Sequence, residues 1–105
     1  LEGACNRAYY AMFDGARAAL MATGAPAEAH TAKTHNGLIA AFSRCLVKTG
    51  RVSVELGRTF NQAEEIRLVS DYTGNSIGPE QAIWVVEQAT LFVQTIRTQF
   101  LNTVP

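Results

Sequence analysis

Apolar positions along this chain recur at helical spacing. From Glu2 to about Thr23, Cys5, Ala8, Tyr9, Met12, Phe13, Ala16, Ala19 and Leu20 return at intervals of three and four, with Arg7, Asp14 and Arg17 off the stripe. The pattern predicts an amphipathic helix of about five or six turns, stopped by Gly24, after which Ala25-Pro26 opens a small-residue connection through His30. A second helix is expected to start between Thr31 and Thr34, either of which suits an N-cap. Leu38, Ile39, Phe42, Cys45 and Leu46 form its core side, and Lys48 and Gly50 end it. Ser53 is the best N-cap in the chain, because Glu55 follows in the first turn, where the helix dipole favours an anion. The third stripe is Leu56, Phe60, Ala63, Ile66 and Val69, and the polar stretch from Asp71 to Gly78 breaks it. Pro79 suits a first helical position, and a fourth helix is expected to run to about Leu101, burying Ala82, Val85, Val86, Ala89, Phe92, Val93, Ile96 and Phe100.

Four amphipathic helices joined by connections of about 3 to 10 residues predict an all-α, antiparallel up-and-down bundle. The 105 residues make one domain, 1–105, since that length buries a single core. The first residue is not Met and already lies close to a helix. A missing N-terminal segment is therefore expected, with room for a fifth helix against the first.

Charge changes the picture little. Nine Lys and Arg balance nine Asp and Glu, and the pI is near 6.9, so no global basic field favours nucleic acid or an anionic membrane. RNA binding would have to come from a local patch. Charged residues are 17% of the chain, below the roughly 25% usual for soluble domains, and 48% are hydrophobic, so some apolar surface is expected to face a partner. Cys5 and Cys45 fall in apolar helical patterns without a CxxC partner and read as buried free thiols of a reducing compartment, which fits a cytoplasmic location. The chain has neither a long apolar run nor a signal-peptide pattern, so no membrane association is expected.

Several chemistries are excluded by spacing. Di-iron bundles need paired Glu-x-x-His units, and Glu64 and Glu65 have no His three residues on. His30 and His35, five apart, do not share a helix face and read as a loop and a surface histidine, so no metal is expected. No nucleophile elbow, P-loop or dinucleotide glycine signature occurs, and no cofactor is expected. Arg44, Lys48 and Arg51 suit either a small phosphate-contacting patch or, more simply, cations offsetting the dipole at a helix C-terminus.

Three blocks carry more information together: Asn6-Arg7-Ala8-Tyr9-Tyr10-Ala11-Met12-Phe13, Lys33-Thr34-His35-Asn36-Gly37-Leu38, and Arg67-Leu68-Val69-Ser70-Asp71-Tyr72. In order and spacing they resemble the small prokaryotic HEPN-domain proteins, from about Ala4 to Arg97. The resemblance implies a four- or five-helix bundle that dimerises. In the ribonuclease members of that superfamily an Arg is followed, after four to six residues, by a His, and the dimer brings two such motifs into one metal-independent RNA-cleaving cleft. Arg67 matches the arginine, but the histidine position falls on Tyr72, and Thr73 and Gly74 do not restore it. An imidazole with a pKa near 6.5 exchanges protons near neutrality and a phenol near 10 does so poorly, so ribonuclease activity is expected to be reduced or absent.

The expected function is therefore an RNA-binding homodimer of a toxin-antitoxin or defence-type pair, partnered by a minimal nucleotidyltransferase. Arg67 and Tyr72 would line its cleft, and Tyr72 would be the candidate for modification by the partner. Arg67 offers a fork of donors to a phosphorane; its simple structural alternative is an ion pair with Glu64 or Asp71. Asp71 reads as a turn acceptor, with a role as substitute base the alternative. Tyr9 and Phe13 read as core, whereas Tyr10, with Asn6 and Asp14, forms a polar edge of the first helix. Tyr10 either joins a hydrogen-bond network with Arg67 or, with Asn6, reaches the cleft. Two other functions stand beside this one: a non-enzymatic helical interaction module, and an active metal-independent endoribonuclease using Asp71 or Tyr72 as base.

Overall fold

The computed structural model describes residues 2–73 and 78–101, and the side chains of 3–69 and 78–101. Among them there are five α-helices and no strand: α1 (Glu2–Ala22), α2 (Ala27–His30), α3 (His35–Phe42), α4 (Val54–Thr73) and α5 (Pro79–Ile96). The all-α bundle expected from the periodicity is what forms, and no described helix is long and apolar enough to cross a membrane. The helices end where local chemistry dictates. Gly24 takes φ +74 after α1, a conformation that costs a side-chain-bearing residue energy, and Ser53 Oγ accepts from Leu56 N at 3.1 Å to cap α4.

Four local features escaped the periodicity. The connection after Pro26 contains α2, a single turn. The second long helix passes into a widened turn over Ser43–Val47, where Lys48 N donates to Ser43 O, five residues back, at 2.9 Å. A second widened turn, Arg97–Leu101, ends α5, and α4 continues to Thr73, beyond the expected break at Asp71.

Direction follows from which residues meet. Phe13 on α1 packs on Phe60 of α4, and Tyr9 lies under Arg67, so α1 and α4 run antiparallel. Phe60 meets Phe92 while Ile66 packs with Ala82 and Val85, so α4 and α5 are antiparallel too. Gly15 faces Phe92 and Val93, and Cys5 clusters with Ala82 and Val85, so α1 and α5 lie side by side in the same direction. This arises because the 23–34 connection, with α2, carries the chain back along α1 before α3 begins.

The centre is aromatic. Phe60 contacts Phe13, Phe42 and Phe92 at centroid distances of 5.1, 5.4 and 5.2 Å, the first two edge-on, as the aromatic quadrupole prefers, and the third tilted. Aliphatic side chains fill the rest, Met12, Leu20, Leu38, Leu46 and Ile96 all being fully buried. Val69 departs from its expected core position and is 62% exposed. Two residues past Arg67, it sits about 200° round the helix from a side chain that faces inward. Val86 likewise turns outward beside the buried Val85.

Because Phe60 touches three other rings, Phe60→Ala is expected to lower stability by about 3–5 kcal/mol, measured by denaturant unfolding. A loss below about 1 kcal/mol would mean that the aromatic centre collapses around the gap.

Candidate functional site

The most polar part of the interior lies where α1, the start of α3 and the second half of α4 meet. Glu64 is the single charged side chain among the described buried residues, at 5% exposure. A buried carboxylate needs a cation and hydrogen bonds to offset its lost hydration, and its helix supplies the cation one turn on. Arg67 Nη2 lies 3.4 Å from Glu64 Oε1 and also donates to His35 Nδ1 at 3.0 Å. His35 Nδ1 is 3.9 Å from the other carboxylate oxygen, Oε2.

The position of His35 is set by three local devices. Thr34 Oγ1 accepts from Gly37 N at 3.0 Å, starting α3 so that His35 is its first residue. A side chain at Gly37 would place its Cβ 2.8 Å from Thr34 Oγ1, so the cap needs glycine there. Upstream, Arg17 of α1 donates to the backbone carbonyls of His30 and Ala32, tying the approach to α3 against the bundle. The imidazole then lies on Phe13, with centroids 4.2 Å apart and ring planes inclined by 32°. Tyr9 and Tyr10 present their rings edge-on to it, at 5.8 and 5.9 Å.

Electrostatics assign the proton. A guanidinium has donors and no acceptor, so in the contact with Arg67 the imidazole Nδ1 must accept, and the neutral ring carries its proton on Nε2. Burial holds the His35 pKa below its ordinary value of 6.5, and the positive charges of Arg67 and Arg17 push it the same way. His35 is therefore neutral at pH 7. Beneath Arg67, the Tyr9 ring faces the guanidinium with its centroid 5.0 Å from Cζ. The Tyr9 hydroxyl is buried with no hydrogen-bond partner among the described residues, a penalty of about 1–3 kcal/mol carried at this site.

The residues singled out from sequence divide as follows. Arg67 is at the centre, its side chain 21% exposed and paired with Glu64, one of the two partners its spacing allowed. Tyr10 is half exposed and borders the site through its ring contact with His35. Asn6 is exposed one turn earlier on α1. Asp71 and Tyr72 belong to the last turn of α4, and their side chains lie outside the described residues. Tyr9 and Phe13 are buried as core residues. Arg44, Lys48 and Arg51 are exposed around the end of the Ser43–Val47 turn.

His35 is the residue that reasoning from helix spacing misplaced. Read as a surface histidine, it is instead half buried, one face covered by Phe13 and one nitrogen engaged by Arg67. His30 ends α2 rather than lying in a loop. The available signal was the block Lys33-Thr34-His35-Asn36-Gly37, in which a capping threonine fixes the residue after it, but the partner stands 32 positions away.

Comparison with known proteins gives one consistent answer. The model of the HEPN domain family matches residues 1–99. A UPF0332 protein of Thermotoga maritima is 43% identical over 72 residues, which is 69% of this chain and 51% of that protein. A UPF0332 protein of Gloeobacter violaceus is 35% identical over 98 residues, 91% of this chain and 73% of the relative. A candidate toxin of Methanocaldococcus jannaschii is 31% identical over 94 residues, 90% of this chain and 66% of the relative. The chain thus spans about half the length of the Thermotoga protein. No solved structure gives a significant match.

The lowered pKa of His35 has a consequence for stability. Below the ordinary value of 6.5 the unfolded chain binds a proton that the folded chain resists, so stability attributable to His35 is present above that pH and lost as pH falls through it. The thermal midpoint is expected to drop on going from about pH 7.5 to about 5.5, and to drop less in His35→Gln. Equal slopes in the two proteins would show that the histidine titrates as in the unfolded chain.

Proposed function

The chain belongs to the HEPN-domain family, and on that premise we propose that it is the RNA-binding component of a toxin-antitoxin or defence-type pair. In this reading it is a cytoplasmic homodimer, and its partner is a minimal nucleotidyltransferase. In this reading its ribonuclease activity is reduced or absent relative to members that carry a histidine in the motif after the arginine. The observation that carries the reading is the contact of Arg67, which the resemblance matches to the motif arginine, with the buried Glu64 and with His35.

The support is chemical. A guanidinium oriented by a carboxylate and set over Tyr9 holds its planar fork of donors in a fixed orientation, which suits the geometry of a phosphate. Tyr10, half exposed and next to His35, offers an aromatic edge or face to a base, and the exposed Asn6 offers an amide. With zero net charge, such a local patch is the form that RNA contact has to take. The relative described as a candidate toxin points to the same biological class.

A non-enzymatic interaction module is the second reading. Ile83, Val86 and Leu91 are exposed along α5, an apolar display that suits a protein partner.

RNA binding separates the two. A short single-stranded RNA is expected to bind with an affinity that falls as salt rises, and Arg67→Ala and Arg67→Lys are expected to weaken it, with circular dichroism reporting the fold. The alanine variant, which neutralises one phosphate fewer, should also lower the salt slope by about 0.7. Salt-insensitive binding, or binding indifferent to both substitutions, would favour the interaction module. In the partnered reading, incubation with a minimal nucleotidyltransferase and ATP is expected to add the mass of one or more nucleotides at Tyr72. No gain in mass, or an equal gain in Tyr72→Phe, removes Tyr72 as acceptor.

A further inference from the structure

We propose that His35 is the acid–base group of an RNA-cleaving site in which Arg67 is the phosphate ligand, the imidazole reaching the arginine from α3 rather than from the end of α4. This rests on the RNA reading above and adds a reaction and a residue to it. Its basis is the geometry at Arg67: the Nδ1 lone pair of His35 is held 3.0 Å from the Nη2 donor that a phosphate oxygen would take. A group 3 Å from the phosphate ligand is within reach of the ribose 2′-hydroxyl beside that phosphate, the condition geometry sets on a general base.

The neighbouring side chains fit that role. Phe13 fixes the ring plane, and Thr34 and Arg17 fix the backbone that carries it. The His35 side chain is 33% exposed, so an RNA strand can reach it. Among the described residues, the charged and titratable groups facing the imidazole are Arg67 and Glu64 from α4 and Arg17, Tyr9 and Tyr10 from α1. Burial first, and then the charges of the two arginines, favour its neutral form. When Arg67 Nη2 turns from Nδ1 to a phosphodiester oxygen, the lone pair is released beside the bound anion. Glu64 Oε2, 3.9 Å from Nδ1, then faces the positive charge that the ring acquires.

The step balances without metal or cofactor. His35 Nδ1 takes the proton of the 2′-hydroxyl as O2′ bonds to phosphorus, and the bond from phosphorus to O5′ breaks with its electron pair on O5′. Water protonates O5′, and the hydroxide so formed takes the proton from the imidazolium. The products are a 2′,3′-cyclic phosphate and a 5′-hydroxyl. Among side-chain types, a carboxyl with a reference pKa near 3.9 or a phenol near 10 is less well matched to this exchange at neutral pH than an imidazole.

The test uses a fluorescent single-stranded RNA of mixed sequence in EDTA, with affinity and cleavage measured on the same samples. The chain is expected to yield cyclic-phosphate ends, with kcat/KM rising with pH to a plateau through an inflection below 6.5. His35→Gln is expected to bind the RNA within a few-fold of the original affinity and to cleave about 10²–10⁴-fold more slowly, without that inflection. Added imidazole is expected to restore part of the cleavage of His35→Ala, which a merely structural role would not allow. RNA that is bound but not cut, or is cut equally well by His35→Gln, overturns the proposal and leaves the RNA-binding reading standing. Absence of RNA binding by the unsubstituted chain overturns both.

Discussion

A carboxylate taken out of water decides the arrangement of this bundle's polar end. Glu64 is nearly as buried as the phenylalanines around it, and burying a charge is costly unless a counter-charge and hydrogen bonds accompany it. Arg67, one turn along the same helix, supplies the charge. The same Nη2 that pairs with Glu64 also donates to His35 while the guanidinium sits over Tyr9, so one charge requirement connects α4 to α1 and to the first residue of α3. Removing Arg67 would strand the carboxylate, and removing Glu64 would leave an arginine and an imidazole facing each other. The members of the cluster are therefore coupled, and the effects of substituting them are not expected to add.

The aromatic centre and this polar cluster are continuous, and Phe13 joins them. One contact of its ring is the edge-on packing with Phe60 in the core, and another is the tilted stack with His35 at the site. Rigid packing around Phe60 thus transmits to the imidazole as positional accuracy. The lowered pKa comes from the same burial, so the property that suits His35 to proton exchange at neutrality follows from where the core places it.

The four long helices were legible because each carries a long apolar stripe at one period, and their ends carry Gly24, Ser53 or Pro79. α2 was not, since four residues are too few to show a period, and the Ser43–Val47 turn was not, since widening a helix by one residue leaves its apolar composition unchanged. Val69 shows the same limit from another side: the apolar series on α4 was continued by counting, whereas the inward positions near its end belong to Glu64 and Arg67. Arg67 itself was legible through family resemblance. His35 was visible as part of a matching block, yet its meaning depends on a contact between two helices, which spacing along one helix does not encode.

The tether made by Arg17 gives this fold an uneven mechanical character. The stretch from Thr23 to Thr34 holds one helical turn; its buried Ala29 packs into the core, and Arg17 ties the carbonyls of His30 and Ala32 to α1. A short segment with few buried side chains is expected to open locally more readily than the aromatic centre. His35 stands on the border between this loosely held strap and the rigid bundle. A substitution at Arg17, a residue that touches neither Glu64 nor Arg67 in any described hydrogen bond or ion pair, would therefore act at a distance, by widening the range of positions over which the imidazole averages.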